Sequence, residues 1–236
     1  MIEKVANFGD DRQNGFCVHC GGPPETKDHA PPKVFLDMPY PHHRPTLPSC
    51  LKCNNGFTAD EEYLACFVEC VVCGTTDPEK LTREKVQKSL RRNTGLRERI
   101  ERSKRDDLNG QGERLPVWTP EEDRVSEVVV KLARCHAAYE LNEPQLDEPD
   151  HVGFWPMASL SDEQRENFET VAEELAGWPE VGSRSLERIS LEDGLLSVGG
   201  WLSVQDGRYR FMAVGSGSVI IRGVLSGYLG FEVIWD

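Results

Sequence analysis

Four of the eight cysteines in this 236-residue chain stand as two C-x-x-C pairs, Cys17/Cys20 and Cys50/Cys53. Paired thiols at that spacing can supply the four soft ligands that a tetrahedral zinc ion takes. Between the pairs sits Asp28-His29, and directly after the last cysteine sits Asn54. Each element alone is a weak signal; together, in this order, they mark the N-terminal third as the place where chemistry would occur.

Three other groups compete for attention. Cys66, Cys70 and Cys73 fall at i, i+4 and i+7, one face of a helix, and read as small buried apolar side chains rather than a second zinc site. Cys135-His136 lies on an apolar helix face, where a packed histidine is expected rather than a ligand. His19, inside the first knuckle, is expected to face solvent. Plainer readings also exist for the main set: Asp28-His29 as a surface pair and Asn54 as a helix cap.

The elements that must position these residues follow from local signals. Residues 1–56 are punctuated by Pro23-Pro24, Pro31-Pro32, Pro39, Pro41, Pro45 and Pro48, so short strands and loops pinned by metal are expected there. After Phe57, Thr58-Ala59-Asp60-Glu61 fits a capping box, and the helix it opens runs to a stop at Gly74. Residues 79–105 read as one helix, or two split near Gly95, and 106–123 as a linker. Val125, Val128, Val129, Leu132, Ala133 and His136 recur at three and four, giving an amphipathic helix over 121–140. An acidic helix is expected over 161–176. From about 185 the pattern turns to strands, with a hairpin at Gln205-Asp206-Gly207 and two more strands over 219–225 and 231–235.

The string Cys17-Val18-His19-Cys20, Asp28-His29-Ala30-Pro31-Pro32, Cys50-Leu51-Lys52-Cys53-Asn54 resembles the HNH endonucleases, which have the ββα-metal fold, in the four-cysteine zinc form of the endonuclease VII family. The resemblance covers about residues 14–66. It implies that Cys17, Cys20, Cys50 and Cys53 hold a structural zinc, that Asp28 and Asn54 hold a catalytic Mg²⁺ or Mn²⁺, and that His29 is the general base. The chemistry is coherent: a histidine titrates where water must lose a proton, a hard divalent ion takes oxygen ligands, and cleavage builds charge that such an ion stabilises. The family's middle Asn falls at Pro45, with His42 and His43 nearby, and the acid that follows its Asn falls at Phe57. The expected activity is hydrolysis of phosphodiester bonds in DNA, in phage defence or a mobile element. The alternatives are a non-catalytic zinc module that binds nucleic acid or protein, and a nuclease subunit silent without its partner.

Composition bounds the rest. The chain is 38% hydrophobic with 19 aromatic residues, which excludes disorder throughout. No apolar run reaches the ~18 residues of a membrane span. With no stretch of signal-peptide length in MIEKVANFGDD, a cytoplasmic setting is expected, where eight cysteines do not form a disulfide framework. The net charge of −13 is uneven: residues 79–105 carry 11 bases and 4 acids, whereas 106–236 carry 10 bases and 25 acids. Arg91, Arg92, Arg97 and Arg99 either contact phosphates or pair with the acidic C-terminal region. The expected partner is double-stranded DNA, with a protein partner through the acidic region as a second, and no membrane. The expected fold is α+β: a zinc-stapled ββα module over 1–75, a basic helical connector over 76–118, and an acidic α+β domain with antiparallel strands over 119–236.

Overall fold

The computed structural model describes residues 14–41, 44–108, 114–170, 183–185 and 200–236; His42 and His43 lie outside the described residues. The N-terminal part is a two-stranded antiparallel hairpin, β1 (Thr26–His29) with β2 (Thr46–Ser49), followed at once by the short helix α1 (Leu51–Gly56). Strand alternation sorts its side chains. Asp28 pairs with Leu47, and both are buried; His29 pairs with Thr46 on the half-buried face.

Helix α2 (Thr58–Cys73) begins directly after α1 and ends where Gly74 takes a left-handed φ of 68°. The expected capping box is not formed. Residue Phe57 precedes the helix with no side-chain cap, because α1 already supplies the preceding turn, and Glu61 is drawn instead to Lys131. Cys66 and Cys70 are buried in the core, as their spacing predicts, whereas Cys73, in the last turn of the helix, is only half-buried against it.

The basic stretch forms two helices, α3 (Glu84–Arg92) and α4 (Thr94–Ser103). They part at Asn93, just before Gly95, because the Asn93 side chain caps α4 by accepting from the Leu96 amide at 3.0 Å. The expected linker over 106–123 is instead largely ordered as a hairpin, β3 (Lys104–Leu108) with β4 (Arg114–Trp118). Its strands alternate too weakly in polarity to be read locally; Trp118 buries into the core and anchors them.

Helix α5 (Glu122–His136) presents Val125, Val128, Val129, Leu132 and Ala133 inward, as the periodicity predicts. A five-stranded antiparallel sheet follows, in the order β5 (His151–Pro156), β9 (Leu229–Trp235), β8 (Ser218–Leu225), β7 (Tyr209–Ser216), β6 (Leu202–Gln205). Strand β5 has no alternating signal and pairs with β9 across the sheet edge. Helix α6 spans Asp162–Glu169, shorter than the 161–176 expected, and residues 171–182 lie outside the described residues. Among the described residues no helix is long and apolar enough to cross a membrane.

One continuous core joins the three segments. Tyr63 and Phe67 of α2, Leu90 of α3, Ile100 of α4, Val125 and Leu132 of α5, and Phe231 and Trp235 of β9 belong to it. A smaller cluster, Val18, Ala30 and Leu47 against Cys135 and Ala138, seats the N-terminal hairpin on the end of α5. Burying Val18 and Leu47 contributes about 1.5–3 kcal/mol each, so the hairpin is held by α5 as well as by its own cysteines.

Candidate metal centre and the residues around it

The thiols of Cys17, Cys20, Cys50 and Cys53 all lie within 4.8 Å of one another. A tetrahedral zinc with Zn–S of about 2.3 Å has S–S edges of ~3.8 Å, and Cys20 Sγ and Cys50 Sγ stand 3.8 Å apart. The first pair sits on a tight turn: the Gly21 amide donates to the Cys17 carbonyl at 2.9 Å, and Gly21 takes a φ of 71° that a side chain would resist. The second pair opens α1, where Cys50 Sγ accepts from the Cys53 amide at 3.3 Å. Burial works to raise the Cys17 thiol, but the amides of Cys50, His19 and Cys20 outweigh it and bring it down to about 7. Burial and the neighbouring thiols of Cys50 and Cys20 push Cys53 up, since a second thiolate in that space repels the first. A divalent cation removes this conflict, so the four cysteines can hold a metal such as zinc.

The residues expected around a catalytic ion divide. Asn54, on α1, donates its amide to Thr26 Oγ1 at 3.3 Å and to the Lys27 carbonyl at 3.4 Å. Thr26 and Asp28 share a strand face, so Asn54 braces the same face of the hairpin that carries Asp28. His29 takes the other face. Burial first, and then the charges of Arg44 and Lys33, hold His29 below the ordinary histidine range. Its ring is therefore neutral at pH 7 and able to accept a proton.

Asp28 is spoken for. It is 5% exposed, and its Oδ1 accepts from the His29 amide at 2.7 Å and from Lys131 Nζ at 3.0 Å. Its Oδ2 meets His19 Nε2 at 3.0 Å and Lys131 Nζ at 3.0 Å. Burial acts to raise the Asp28 carboxyl, and His19 and Lys131 more than offset it, so the group is held low and ionised. Lys131 also reaches Glu61 at 2.5 Å, and burial lifts Glu61 above the usual carboxylate range. Burial would discharge Lys131, but Cys135, Asp28 and Glu61 reverse that and hold it charged. An ammonium within 3.0 Å of both Asp28 oxygens fills the place that a divalent ion would need. The donor set does not fit a Mg²⁺ or Mn²⁺ at Asp28 in this arrangement.

Sequence reasoning missed three members of this network. His19 is 4% exposed, turned inward rather than to solvent, with its ring edge-on to Phe57 at 5.0 Å between centroids. Lys131, 2% exposed, interrupts the apolar face of α5 within the very stretch of valines that defines that face. That position was the available signal, since a lysine on the core side of a helix must find a carboxylate. Glu61 was assigned to a cap. His19, Asp28 and Cys135 do offer three ligand atoms within 4.8 Å, but Lys131 stands among them. His136 is a packed histidine, stacked on Phe211 with centroids 3.6 Å apart and bonded to Tyr209 Oη at 2.7 Å.

The arginines singled out on α3 and α4 are largely matched by nearby acids. Arg91 pairs with Glu79 at 2.9 Å, Arg92 with Glu62 at 3.4 Å and Arg99 with Glu121 at 3.5 Å. Arg97 is half-buried on α4. The partners come from α2, α5's first turn and the loop before α3, not from the C-terminal sheet. No family model, no curated protein and no solved structure matches this chain.

Proposed function

We propose that this chain is a zinc-stapled phosphodiester hydrolase of the HNH kind, acting on DNA. The observation that carries the reading is the order hairpin then helix, β1, β2 and α1, with the four thiols gathered at its base, His29 at the end of β1 and Asn54 on α1. In this reading zinc ties the first knuckle to the start of α1, which a segment so poor in apolar residues could not do by burial alone. His29, neutral at pH 7, takes the proton of the attacking water. Asn54 holds α1 against β1, so that the helix and the histidine keep a fixed relation.

A second reading has its own support: the chain binds nucleic acid without cleaving it, or cleaves only with a partner. The Lys131 ammonium on Asp28 favours it, because that carboxylate has no free oxygen for an ion. Incubating the zinc-loaded protein with supercoiled plasmid in Mg²⁺, Mn²⁺ or EDTA separates the two. Nicking that disappears in His29→Ala supports the hydrolase. Binding without nicking in every condition supports the second reading.

A further inference from the structure

Tyr40 lies in the loop between β1 and β2, and three cations converge on its ring. Lys33 Nζ is 5.5 Å from the ring centroid, the Arg44 guanidinium carbon 5.6 Å and Lys85 Nζ 5.7 Å. They come from three places: the turn after β1, the residues leading into β2, and the first turn of α3. Among the described residues none of the three forms an ion pair with a carboxylate. Moreover, Arg44 Nε and Nη1 are covered from solvent and have no hydrogen-bond partner among the described residues. A guanidinium whose donors lack partners calls for an acceptor, and a phosphate oxygen is one that arginine recognises well.

The cluster adjoins His29. Thr46 pairs with His29 and the Ala30 amide donates to the Pro45 carbonyl at 3.2 Å, so Arg44 enters the hairpin beside the histidine. Both Arg44 and Lys33 bear on His29, where their charges add to burial in lowering its pKa. On its other side, Lys85 also lines a cleft of about 400 Å³ between α2 and α3, together with Val34, Lys88, Arg92 and the acids Glu61 and Glu62.

We propose that Lys33, Arg44 and Lys85, gathered on Tyr40 beside His29, form a docking site for a backbone phosphate of nucleic acid. The proposal rests on the nucleic-acid reading above and adds to it the residues that seat the strand. Tyr40 is a positioning residue here: its ring face holds three like charges together that would otherwise repel. Arg44 supplies the directional contact and the two lysines supply charge.

The test uses the zinc-loaded full chain and a short fluorescein-labelled DNA duplex, with binding followed by anisotropy over roughly 50–300 mM NaCl. Changing Lys33, Arg44 and Lys85 together to Gln should weaken binding at least ~10-fold at the low-salt end. It should also flatten the slope of log K against log salt by about one unit per lost contact. Lys85→Gln alone, at an exposed position, should flatten it by about one unit and serves if the triple variant does not fold. The variant K33R/R44K/K85R should keep the slope but lose affinity at Arg44, where a planar, directional guanidinium is replaced by a point charge. If the wild type binds duplex and the Gln variants bind it with the same slope, the phosphate site is wrong while the hydrolase reading survives. If the wild type ignores DNA but binds pyrophosphate by calorimetry, and Arg44→Gln abolishes that, the cations serve a small phosphate compound, and both the backbone site and the nucleic-acid reading fall. Binding of neither overturns both.

Discussion

Lys131 Nζ stands 3.0 Å from each carboxylate oxygen of Asp28, inside the protein and 103 residues further along the chain. Both side chains are almost wholly buried, so each helps to compensate the other for leaving water, with His19 and Glu61 sharing that role. Lys131→Met therefore leaves Asp28 a buried charge with only the His19 ring and the His29 amide to compensate it, and should cost ~3–5 kcal/mol in urea denaturation. Adding Asp28→Asn to that variant should cost less than the sum of the two single changes, because the two residues form one unit. Additive losses would show that the pair is not coupled.

The same contact governs divalent ions. Wild-type protein should show no Mn²⁺ bound at Asp28 by electron paramagnetic resonance, whereas Lys131→Ala, which opens the space and leaves the carboxylate free, should gain a Mn²⁺ signal that Asp28→Asn removes again. Tight Mn²⁺ binding to the wild type, lost in Asp28→Asn, would mean that Lys131 yields readily to the ion.

One zinc per chain is expected by elemental analysis, since the four thiols of the knuckles cluster and no other set of three or more cysteines does so among the described residues. Cys17→Ser or Cys50→Ser should release it and unfold the hairpin, detected as loss of hydrogen-exchange protection in 26–56. The remainder of the core should stay protected. Two zinc ions per chain would point back to Cys66, Cys70 and Cys73.

His29→Ala should lower cleavage by ~10²–10⁴ with zinc content unchanged. Since burial and then Arg44 and Lys33 hold the ring below its ordinary value, the acid limb of kcat/KM should lie below pH ~6.5. Arg44→Gln removes one of those charges and should move the limb upward. A limb already above 6.5 in the wild type would contradict the environment described for this histidine.

Asp37 ties the loop after β1 to distant elements. Its carboxylate meets Arg83 at 2.8 Å and Arg208 at 2.5 Å, while Gln205 bonds its backbone amide at 2.8 Å and its carbonyl at 3.0 Å. Burial acts to raise this group, but the Arg83 and then the Arg208 contacts prevail and hold it low. Its contribution is present above the unfolded value of ~3.9 and is lost as pH falls through the lower folded value. Asp37→Asn should thus lower Tm at pH 7, by an amount that shrinks as pH falls below ~3.9. With the side chain 38% exposed, solvent screening limits the effect to about 1 kcal/mol.

Local signals were enough for much of this protein. Thiol spacing is a short-range property, and it located the metal cluster; the three-and-four recurrence of Val125, Val128, Val129 and Leu132 located α5; and Asp206-Gly207 located the β6–β7 turn, where Gly207 takes a φ of 66°. These features depend on residues near one another in the chain, so the chain alone determined them. What it left open is how distant polar groups are paired. Asp28 reads the same whether it faces a metal ion or a lysine; strand register placed it opposite Leu47 on the buried face, and docking of the hairpin on α5 brought Lys131 to it. Burial then made the choice of counter-charge decisive, because a carboxylate removed from water must take the nearest cation the fold provides. The same is true of Lys33, Arg44 and Lys85, which lie up to 52 residues apart and meet only because Tyr40 and α3 are folded against the hairpin loop.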